Sequence, residues 1–470
     1  MKEKKVILTR DKSFYRSLIT LALPIALQNL ITFAVGFADN VMIGSLGDAA
    51  ISGVYFANQI QTLLQFFSGG IEAAILVLGA QYWGKGDKKS INRIASIGIR
   101  MSAAVGILLT LLCTILPKWV ISLFTDEAQI IDTGATYLFI LAFSFVLFCI
   151  TQALIATARS AEAARIGLYV SFTSLIINVA LNYLLIFGRL GLPALGVTGA
   201  AIATLTSRAV ECIIMLLYTF VIDKRLRFRP SYLFSLDREL LRDFIRYGMP
   251  VLAGHLVWAV NILCGSSIMG HQSAEGVSAA LSVVNTMHNL AYVLMSGMSA
   301  AVGIIVGKTI GMGKEEKVKE YSYTTQIIFI ILGLATGLSL FLLKAPFISL
   351  YGVSDEAKAF ADSFITVISV TFIGTCYQSA CLTGLVKSGG DISYVFKLDL
   401  VFVFLVNLPL GLIATRLGLA PWLVFGALKL DQLLKCAIAA VKINSFNWIK
   451  NLTRGGGEAN SSKKASTDGE

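Results

Sequence analysis

The sequence contains few charged residues: Asp, Glu, Lys and Arg make up 14% of its 470 residues, whereas hydrophobic residues make up 56%. A chain of this length cannot hide so much apolar surface from water in one core, which argues against a soluble fold. The sequence also has no G-x-x-x-x-G-K-[ST] phosphate loop, so this chain is not expected to use ATP hydrolysis as its energy source. It has no H-E-x-x-H motif, no nucleophile elbow and no C-x-x-C pair, and its seven cysteines show no metal-ligand spacing. These absences predict that the protein is not an enzyme and has no cofactor or structural metal.

The chain instead has a series of apolar runs of about 20 residues, each long enough to cross the hydrocarbon layer of a bilayer. The runs are continuously apolar rather than alternating, which favours helices over a barrel. The first run is too long for a signal peptide and lacks an A-x-A cleavage site, so it is predicted to be the first helix. The twelve runs cover 18–42, 51–79, 94–116, 134–157, 165–187, 196–221, 245–269, 277–305, 322–344, 361–385, 392–414 and 420–441.

The distribution of Lys and Arg predicts the orientation of these helices. The N-terminal segment and the segments 84–93, 223–230 and 313–319 are basic, whereas turns such as GSLGDA and GLPALG are nearly free of positive charge. Lys and Arg are enriched in cytoplasmic loops, so both termini are predicted to be cytoplasmic. The net charge of +11 then reflects contact with anionic lipid headgroups, not binding of nucleic acid.

The two halves of the sequence are copies of each other, about 227 residues apart. Residues 23–53 and 249–279 align with Pro24 on Pro250 and Gly44 on Gly270, and later Gly86 aligns with Gly313. Each copy holds six helices, an even number, so both copies enter the membrane from the same side. Duplicated bundles of this kind usually enclose a substrate site. The sequence therefore predicts an all-α integral membrane protein, with twelve transmembrane helices in two parallel six-helix repeats around a central cleft.

The predicted organisation has five parts. They are a cytoplasmic N-terminus (1–17), an N-terminal six-helix lobe (18–222), a cytoplasmic linker (223–244), a C-terminal six-helix lobe (245–445) and a disordered cytoplasmic tail (446–470). The tail is predicted to be disordered because it is rich in Gly, Ser and Lys.

Several motifs, taken in this order within a duplicated frame, resemble the multidrug and toxic compound extrusion (MATE) transporters. The motifs are LALPI (21–25), Asp39 with VMIGSLG (41–47), GAQYWGKGD (79–87), NVALNYLLIFG (178–188), GVTGAAIAT (196–204) and GLVKSGGD (384–391). The resemblance implies export of organic cations or other amphipathic compounds, exchanged for H⁺ or Na⁺ while the cleft opens alternately to each side. It further implies a multi-pass protein of the inner cell membrane, and we expect a monomer whose partners are small amphipathic molecules and lipid. The alternative is a flippase for lipid-linked precursors, which shares a related helix plan.

The first candidate site lies in the N-terminal lobe. An ionised carboxylate in the middle of a membrane costs about 2.5–3.5 kcal/mol, so each one needs an explanation. Asp39, late in the first helix, matches the family's helix 1 aspartate and is predicted to couple transport to an ion; alternatively it meets water at the outer interface. Asn178 and Asn182 share one helix face. Their amide oxygens are predicted to complete a cation shell or to accept a hydrogen bond from protonated Asp39; hydrogen bonding between helices is the alternative. Thr204 is predicted as a further oxygen ligand of the coupling ion.

The other candidate acids are Asp399, Asp431 and Glu72. We predict Asp399 as an ion-coupling residue of the C-terminal lobe, although an inner-interface position is an equal alternative. We assign Asp431 and Glu72 to the substrate cleft. Asp431 is followed one turn later by Lys435, so a simple ion pair is its alternative. For Glu72 the alternative is a side chain that reaches the interface.

His255 and Trp258 lie three residues apart on one helix face and are assigned to the substrate cleft. The indole can stack on a cationic aromatic compound, and the imidazole titrates near neutral pH; packing at the lipid interface is the alternative. The sequence departs from part of the family at two of these positions. Asn182 stands where some members have a second aspartate, and Trp258 stands near the place of a helix 7 glutamate. Fewer anionic ligands weaken the case for Na⁺, which prefers them.

Overall fold

The structure is a computed structural model that describes residues 8–235, 237–270 and 276–454. Within these ranges the regular secondary structure is entirely helical. The α-helices are α1 Lys12–Gly44, α2 Asp48–Lys85, α3 Lys88–Ile115, α4 Pro117–Ser122, α5 Ala128–Ser160, α6 Arg165–Phe187, α7 Val197–Leu217, α8 Arg238–Gly270, α9 Val277–Gly311, α10 Glu315–Ser349, α11 Asp355–Gln378, α12 Ile392–Val401, α13 Leu408–Arg416, α14 Pro421–Lys429 and α15 Asp431–Asn444. The all-α prediction is confirmed.

Eleven helical stretches of the described residues are long and apolar enough to cross a membrane. They are Lys12–Gly44, Ala50–Lys85, Lys88–Ile115, Ala128–Ser160, Arg165–Phe187, Val197–Ile222, Arg238–Gly270, Val277–Gly311, Glu315–Ser349, Asp355–Lys387 and Ile392–Arg416. The twelfth predicted run, 420–441, is covered by α14 and α15, which follow one another with a break at Leu430. The break falls between Lys429 and Asp431, the most polar part of that run. The chain is thus a multi-pass membrane protein.

Three of the spans change from α-helical to π-helical hydrogen bonding. The π-helical segments are Tyr218–Ile222 after α7, Ser379–Lys387 after α11, and Phe402–Asn407 between α12 and α13. A π-helical turn interrupts the i→i−4 bonding and is frequent at functional sites. Two of the three segments lie beside the polar residues of α15, which are described below.

Equivalent turns in the two halves of the sequence have the same backbone conformation. Gly86 follows α2 with a φ of 80°, and Gly313 follows α9 with a φ of 71°. This left-handed conformation is one that L-residues with a side chain rarely adopt, which explains glycine at both positions. After Gly86, the Asp87 side chain accepts a hydrogen bond from the Ser90 backbone nitrogen at 3.0 Å and caps α3.

The described chain forms two compact units whose boundaries fall inside α1 and α8. One unit holds residues up to Ala26 and those from Ala253 onward; the other runs from Leu27 to Leu252. The change of unit follows Pro24 in α1 and Pro250 in α8 by two residues, at matching positions of the two repeats. A proline inside a helix removes a backbone hydrogen bond and allows a bend. The lobes predicted at 18–222 and 245–445 follow the sequence repeats rather than these two units, and they stay a prediction.

Matching glycines hold these helices within each unit. A Cβ at Gly70 of α2 would lie 2.9 Å from the Leu252 Cβ, and a Cβ at Gly297 of α9 would lie 2.7 Å from the Ala26 backbone nitrogen. Gly70 and Gly297 are 227 positions apart, the spacing of the repeat. Glycine is needed at both positions because α8 and α1 pack there with almost no space between backbones.

The N-terminal ends of α1 and α8 are attached by equivalent aspartates. Asp11 accepts hydrogen bonds from the Tyr321 hydroxyl at 2.8 Å and from Lys317 Nζ at 3.2 Å. Asp237 pairs with Arg93 at 2.8 Å. Each aspartate also accepts a bond from a backbone nitrogen of its own helix start, as an N-cap residue does.

Part of the predicted disordered tail, 446–470, is packed against the helices. Trp448 is completely buried, and its indole nitrogen donates to the Ile443 carbonyl oxygen at 3.0 Å. The Lys450 backbone nitrogen donates to the Gly389 carbonyl oxygen at 2.8 Å. Residues 446–454 therefore cover the turn before α12, since a buried tryptophan anchors them. Residues 455–470 lie outside the described ranges.

Candidate functional site

Three elements of one unit bring together the residues predicted for the N-terminal lobe. Asp39 lies near the C-terminal end of α1, Asn178 and Asn182 lie on successive turns of α6, and Thr204 lies in the second turn of α7. Both asparagines are fully buried, and Asp39 is half-buried. The i, i+4 spacing on α6 directs the two amides to the same side, as the sequence predicted.

These four side chains form one hydrogen-bonded chain. The Asn182 amide nitrogen donates to Asp39 Oδ1 and also to Asn178 Oδ1, the latter at 3.2 Å. The Asn178 amide nitrogen in turn donates to the Thr204 hydroxyl oxygen at 3.4 Å. Of the asparagine oxygens, Asn182 Oδ1 is buried and has no hydrogen-bond partner among the described residues. The arrangement leaves one buried acceptor next to a single carboxylate.

Two residues that were not predicted complete this cluster. Tyr137 of α5 is buried and shares a side-chain hydrogen bond with Thr204. Arg208 of α7, four residues after Thr204, interacts electrostatically with Asp39 and pairs with Glu211 at 2.7 Å. The i, i+4 spacing of Thr204 and Arg208 was the signal that placed Arg208 on the same helix face as the site.

Glu72 of α2 lies in a separate cluster of the same unit. Its carboxylate accepts a hydrogen bond from the Ser68 hydroxyl at 2.9 Å and interacts with Arg159 of α5. The Arg159 guanidinium donates to the Gln28 side-chain oxygen at 2.7 Å. A half-buried acid near a guanidinium is compensated in charge, so this cluster explains how Glu72 is tolerated in a membrane helix. Its assignment to the substrate cleft stays a prediction.

His255 and Trp258 both lie in α8, in the part that belongs to the unit from Ala253 onward. Trp258 is 54% exposed and His255 is half-buried. An indole exposed on a membrane helix is available to either lipid or a hydrophobic compound. The cleft assignment of both residues also stays a prediction.

The two acids predicted for the C-terminal half share one lysine. Lys435 Nζ lies 3.1 Å from Asp399 Oδ1 and 3.1 Å from Asp431 Oδ2. The ion pair considered for Asp431 therefore exists, but it is part of a group of three charges. Asp399 comes from α12 and the other two residues come from α15. The sequence separated these acids into different sites because the packing of α12 against α15 cannot be read from spacing along one helix.

A polar side-chain network continues from Asp431 toward α11. The Gln432 amide nitrogen donates to both Asp431 oxygens at 3.1 Å, and its oxygen accepts from the Thr375 hydroxyl at 3.1 Å. Gln378 also donates to the Gln432 oxygen. Within the described residues, no group of His, Cys, Asp and Glu has the arrangement of a metal site. Asp399 and Asp431 are held by ammonium and amide donors.

The duplicated helical architecture and the polar clusters inside its spans define a membrane transporter. The family model MatE matches the chain twice, over residues 24–184 and 251–413. The two matches begin 227 residues apart, which is the repeat found in the sequence. The chain belongs to the MatE family, the family that its motifs resemble, and members of that family are transporters rather than enzymes.

Curated relatives match along most of the chain. It is 26% identical over 422 residues to the "Probable multidrug resistance protein NorM" of Thermotoga maritima, covering 87% of this chain and 90% of the relative. It is 27% identical over 417 residues to the protein of the same name from Photorhabdus laumondii, covering 87% and 88%.

Solved structures share the fold. A MATE protein crystallised in complex with MaL6 gives a TM-score of 0.84 at 18% identity, over 92% of this chain and 97% of that one. The eukaryotic MATE transporter AtDTX14 gives 0.79 at 20% identity, over 93% and 97%. These likenesses establish twelve membrane helices in two repeats as the fold of this chain.

Proposed function

We propose that this protein is a secondary active multidrug efflux antiporter, which exports organic cations or other amphipathic compounds in exchange for an ion by alternating access. The observation that carries the proposal is the hydrogen-bonded cluster of Asp39, Asn182, Asn178 and Thr204 inside a MatE-family membrane protein. A half-buried carboxylate that accepts a hydrogen bond from a buried amide is a site whose charge can change with the bound ion. The names of the curated relatives, multidrug resistance proteins, support the substrate class.

Asp39 is the coupling residue of this proposal, and its partners respond to its charge. When Asp39 is ionised, it accepts the hydrogen bond of the Asn182 amide nitrogen. When Asp39 takes up a proton, its hydroxyl needs an acceptor, and the unpaired Asn182 Oδ1 is in the same amide group. A half-turn of that amide would exchange donor for acceptor and change the contact between α1 and α6. Proton uptake at Asp39 is thereby linked to helix packing.

The proposal also includes residues that line the path of the exported compound. Glu72, His255, Trp258 and Asp431 are proposed to line the path of the substrate, with Trp258 stacking on cationic aromatic compounds. The protein is proposed to act in the inner cell membrane with both termini in the cytoplasm, because its basic segments lie between the helices on one side. It needs no cofactor in this proposal, since the ion gradient supplies the driving force.

The proposal is tested with purified protein in liposomes loaded with a fluorescent lipophilic cation. A pH gradient and a Na⁺ gradient are imposed in turn on wild type and Asp39→Asn. We expect gradient-driven efflux in wild type and at least a tenfold loss in the variant, which is about 1.4 kcal/mol of coupling free energy or more. Asp132→Asn is the matched control, because Asp132 is an exposed acid paired with Lys118 in the same unit.

The results separate the possible functions. Efflux driven by one gradient and lost only in Asp39→Asn would establish the antiporter and identify its ion. Normal efflux in that variant at equal protein level would remove Asp39 from the mechanism. Absence of gradient-driven efflux, together with movement of a labelled polyprenyl lipid between leaflets, would replace the antiporter with a lipid flippase.

A further inference from the structure

A cavity of about 430 Å³ lies where α2 meets the turn between α4 and α5. Its lining combines aromatic, apolar and acidic side chains and includes Tyr55, Phe56, Thr125, Glu127 and Ile130. All of them belong to the same compact unit, and none belongs to the cluster around Asp39. The volume is within the range of sites for small molecules.

One side of the cavity is built from aromatic rings. The ring centroids of Tyr55 and Phe56 are 5.6 Å apart, and Phe56 stacks on Phe124 at 5.6 Å. Tyr55 is 59% exposed, so much of its side chain is accessible. Close to these rings, α2 and α5 are in tight contact, since a Cβ at Gly53 would lie 2.8 Å from the Gly134 backbone nitrogen. This contact fixes the frame that presents the rings, and the face of such a ring attracts a cation.

The other side of the cavity carries a carboxylate. Glu127 is exposed at the N-cap position of α5, and its side chain makes no capping hydrogen bond. Its backbone nitrogen donates to the Thr125 hydroxyl oxygen at 3.3 Å, which holds the turn. Within the described residues, no Lys or Arg lines the cavity. The cavity thus presents a negative charge next to aromatic faces, a combination that recognises organic ammonium groups.

The second repeat shows that the fold does not require a glutamate at this helix start. α5 begins at Ala128 and α11 begins at Asp355, 227 residues later, so Glu127 corresponds to Ser354. The Ser354 hydroxyl accepts a hydrogen bond from the Ala357 backbone nitrogen at 3.3 Å and caps α11. Serine is a preferred N-cap residue and glutamate is not. Capping therefore does not explain the choice of Glu127.

The same comparison applies to the two rings. At the spacing of the repeat, Tyr55 corresponds to Ser282 and Phe56 corresponds to Val283. The Ser282 hydroxyl donates to the Ser278 carbonyl oxygen of its own helix, and Val283 is buried. The second repeat forms the equivalent helix without either ring. Two rings and one carboxylate therefore differ from the repeat, and all three meet in one cavity.

We propose that this cavity binds the ammonium head of an amphipathic organic cation. The head lies against the Tyr55 and Phe56 rings, the Glu127 carboxylate supplies the opposite charge, and the apolar body of the compound lies along the exposed Ile51. This end of α2 is opposite to its basic end at 84–93, so in the proposed orientation the cavity is on the side to which the compound is released. The inference rests on the proposed function for its substrate class.

The test uses azidobenzyltrimethylammonium, a photoreactive quaternary ammonium compound. Protein in nanodiscs of phosphatidylglycerol, a lipid without an ammonium group, is irradiated with increasing concentrations of this probe, and labelled peptides are quantified by mass spectrometry. In wild type we expect saturable labelling of residues 51–56 or 124–130. In Glu127→Ser and in Tyr55→Ser we expect half-saturation at about three- to fivefold higher concentration, since each variant removes one exposed contact with the cation.

Both variants introduce the residue of the second repeat, so they are expected to fold. The unfolding temperature of Glu127→Ser should equal or exceed that of wild type, because serine is the better N-cap residue. A structural role of Glu127 alone predicts a lower unfolding temperature and unchanged labelling, and that result would overturn the inference.

Asp126→Asn and Tyr55→Phe are the matched controls. Asp126 is an exposed acid next to Glu127 that does not line the cavity, and Tyr55→Phe keeps the ring. We expect both controls to be labelled as wild type is. Unchanged half-saturation in Glu127→Ser and Tyr55→Ser would overturn the inference. A loss in Asp126→Asn as large as in Glu127→Ser would overturn it too, because the general negative charge of the surface would then attract the probe.

A phospholipid with a choline head is the other source of an ammonium group. The labelling is therefore repeated in nanodiscs of phosphatidylcholine. We expect the same saturable labelling there. Loss of labelling in this lipid would show that the lipid head occupies the cavity, and it would overturn the assignment to an amphipathic cation from solution.

Failure of the inference and failure of the proposed function give different results, because labelling needs no ion gradient. Wild type that is labelled at the cavity but shows no gradient-driven efflux contradicts the antiporter and supports the cation site. Wild type with efflux that Asp39→Asn abolishes, but without saturable labelling of the cavity, contradicts the cation site alone.

Discussion

Asn182 donates a hydrogen bond from its amide nitrogen to the Asp39 carboxylate, although the two residues are 143 positions apart in the chain. The same nitrogen also donates to Asn178 Oδ1, so one amide connects the C-terminal end of α1 to two turns of α6. The charge of Asp39 and the position of α1 are therefore connected through a single side chain.

Replacement of Asn182 by leucine tests that connection. Leucine has nearly the same size but cannot donate to Asp39, and a hydrogen bond to a charged group contributes about 1.5–3 kcal/mol. We expect efflux driven by the ion gradient to fall about 10-fold or more in liposomes, with the protein still folded by size-exclusion chromatography. Asn444→Ala, which alters an exposed amide at the end of α15, should leave efflux unchanged. Full coupling in Asn182→Leu would show that Asp39 works without this donor.

Glu72 and Arg159 should depend on each other for stability. Arg159→Met leaves the Glu72 carboxylate without its guanidinium, and an uncompensated carboxylate in the middle of a membrane costs about 2.5–3.5 kcal/mol. We expect a clear fall in the thermal unfolding temperature in detergent. The double variant Glu72→Gln, Arg159→Met should recover much of the loss, because no uncompensated charge remains. A double variant as unstable as the single one would show that Arg159 acts through its contact with Gln28 instead.

Acid should weaken the attachment of the first helix. Hydrogen bonds from Ser13 and Tyr321, and then Lys317, hold the pKa of the Asp11 carboxyl below its ordinary value of 3.8. A lowered folded-state pKa contributes stability that is complete above that ordinary value and is lost as the pH falls below it. We expect the unfolding temperature of wild type to drop between pH 5 and pH 3, and Asp11→Asn to show a smaller drop. Identical pH dependence in both proteins would mean that other acids dominate.

The close approach of α1 and α9 should make Gly297 sensitive to substitution. A Cβ at this position would lie 2.7 Å from the Ala26 backbone nitrogen, so Gly297→Ala must push the two helices apart. Such overpacking costs about 1–3 kcal/mol, more than the gain in helix propensity. Gly254→Ala is the control, because a Cβ there meets nothing within 4 Å. Unfolding in detergent should show a loss of stability for the first variant and none for the second.

Much of the fold follows from local properties of the sequence. The apolar runs predicted the spans because the bilayer leaves the backbone no partners other than its own, and only helices satisfy it within one segment. The duplication predicted equivalent turns, and Gly86 and Gly313 confirm them. The run at 420–441 was predicted as one helix, whereas the structure has α14 and α15. The length and hydropathy of an apolar run do not reveal that its helix is interrupted at a single residue.

The sites were predictable only where their members share a helix. Asn178 and Asn182 were placed together because four residues make about one helical turn. Arg208 next to Asp39, and Lys435 between Asp399 and Asp431, come from contacts between helices that are far apart in the chain. No spacing rule covers such contacts. Asp399 and Asp431 were consequently assigned to two different sites.

The sequence by itself determined that the protein is helical, duplicated, embedded in the membrane and similar to MATE transporters, because hydropathy and repeats are properties of the chain alone. Only the tertiary structure decided which acids are compensated and which retain a charge to exchange. The energy of a buried carboxylate depends on donors and cations within a few ångströms, and packing between helices decides which of these lie there. For the same reason, only the structure located the change of unit within α1 and α8, two residues after Pro24 and Pro250.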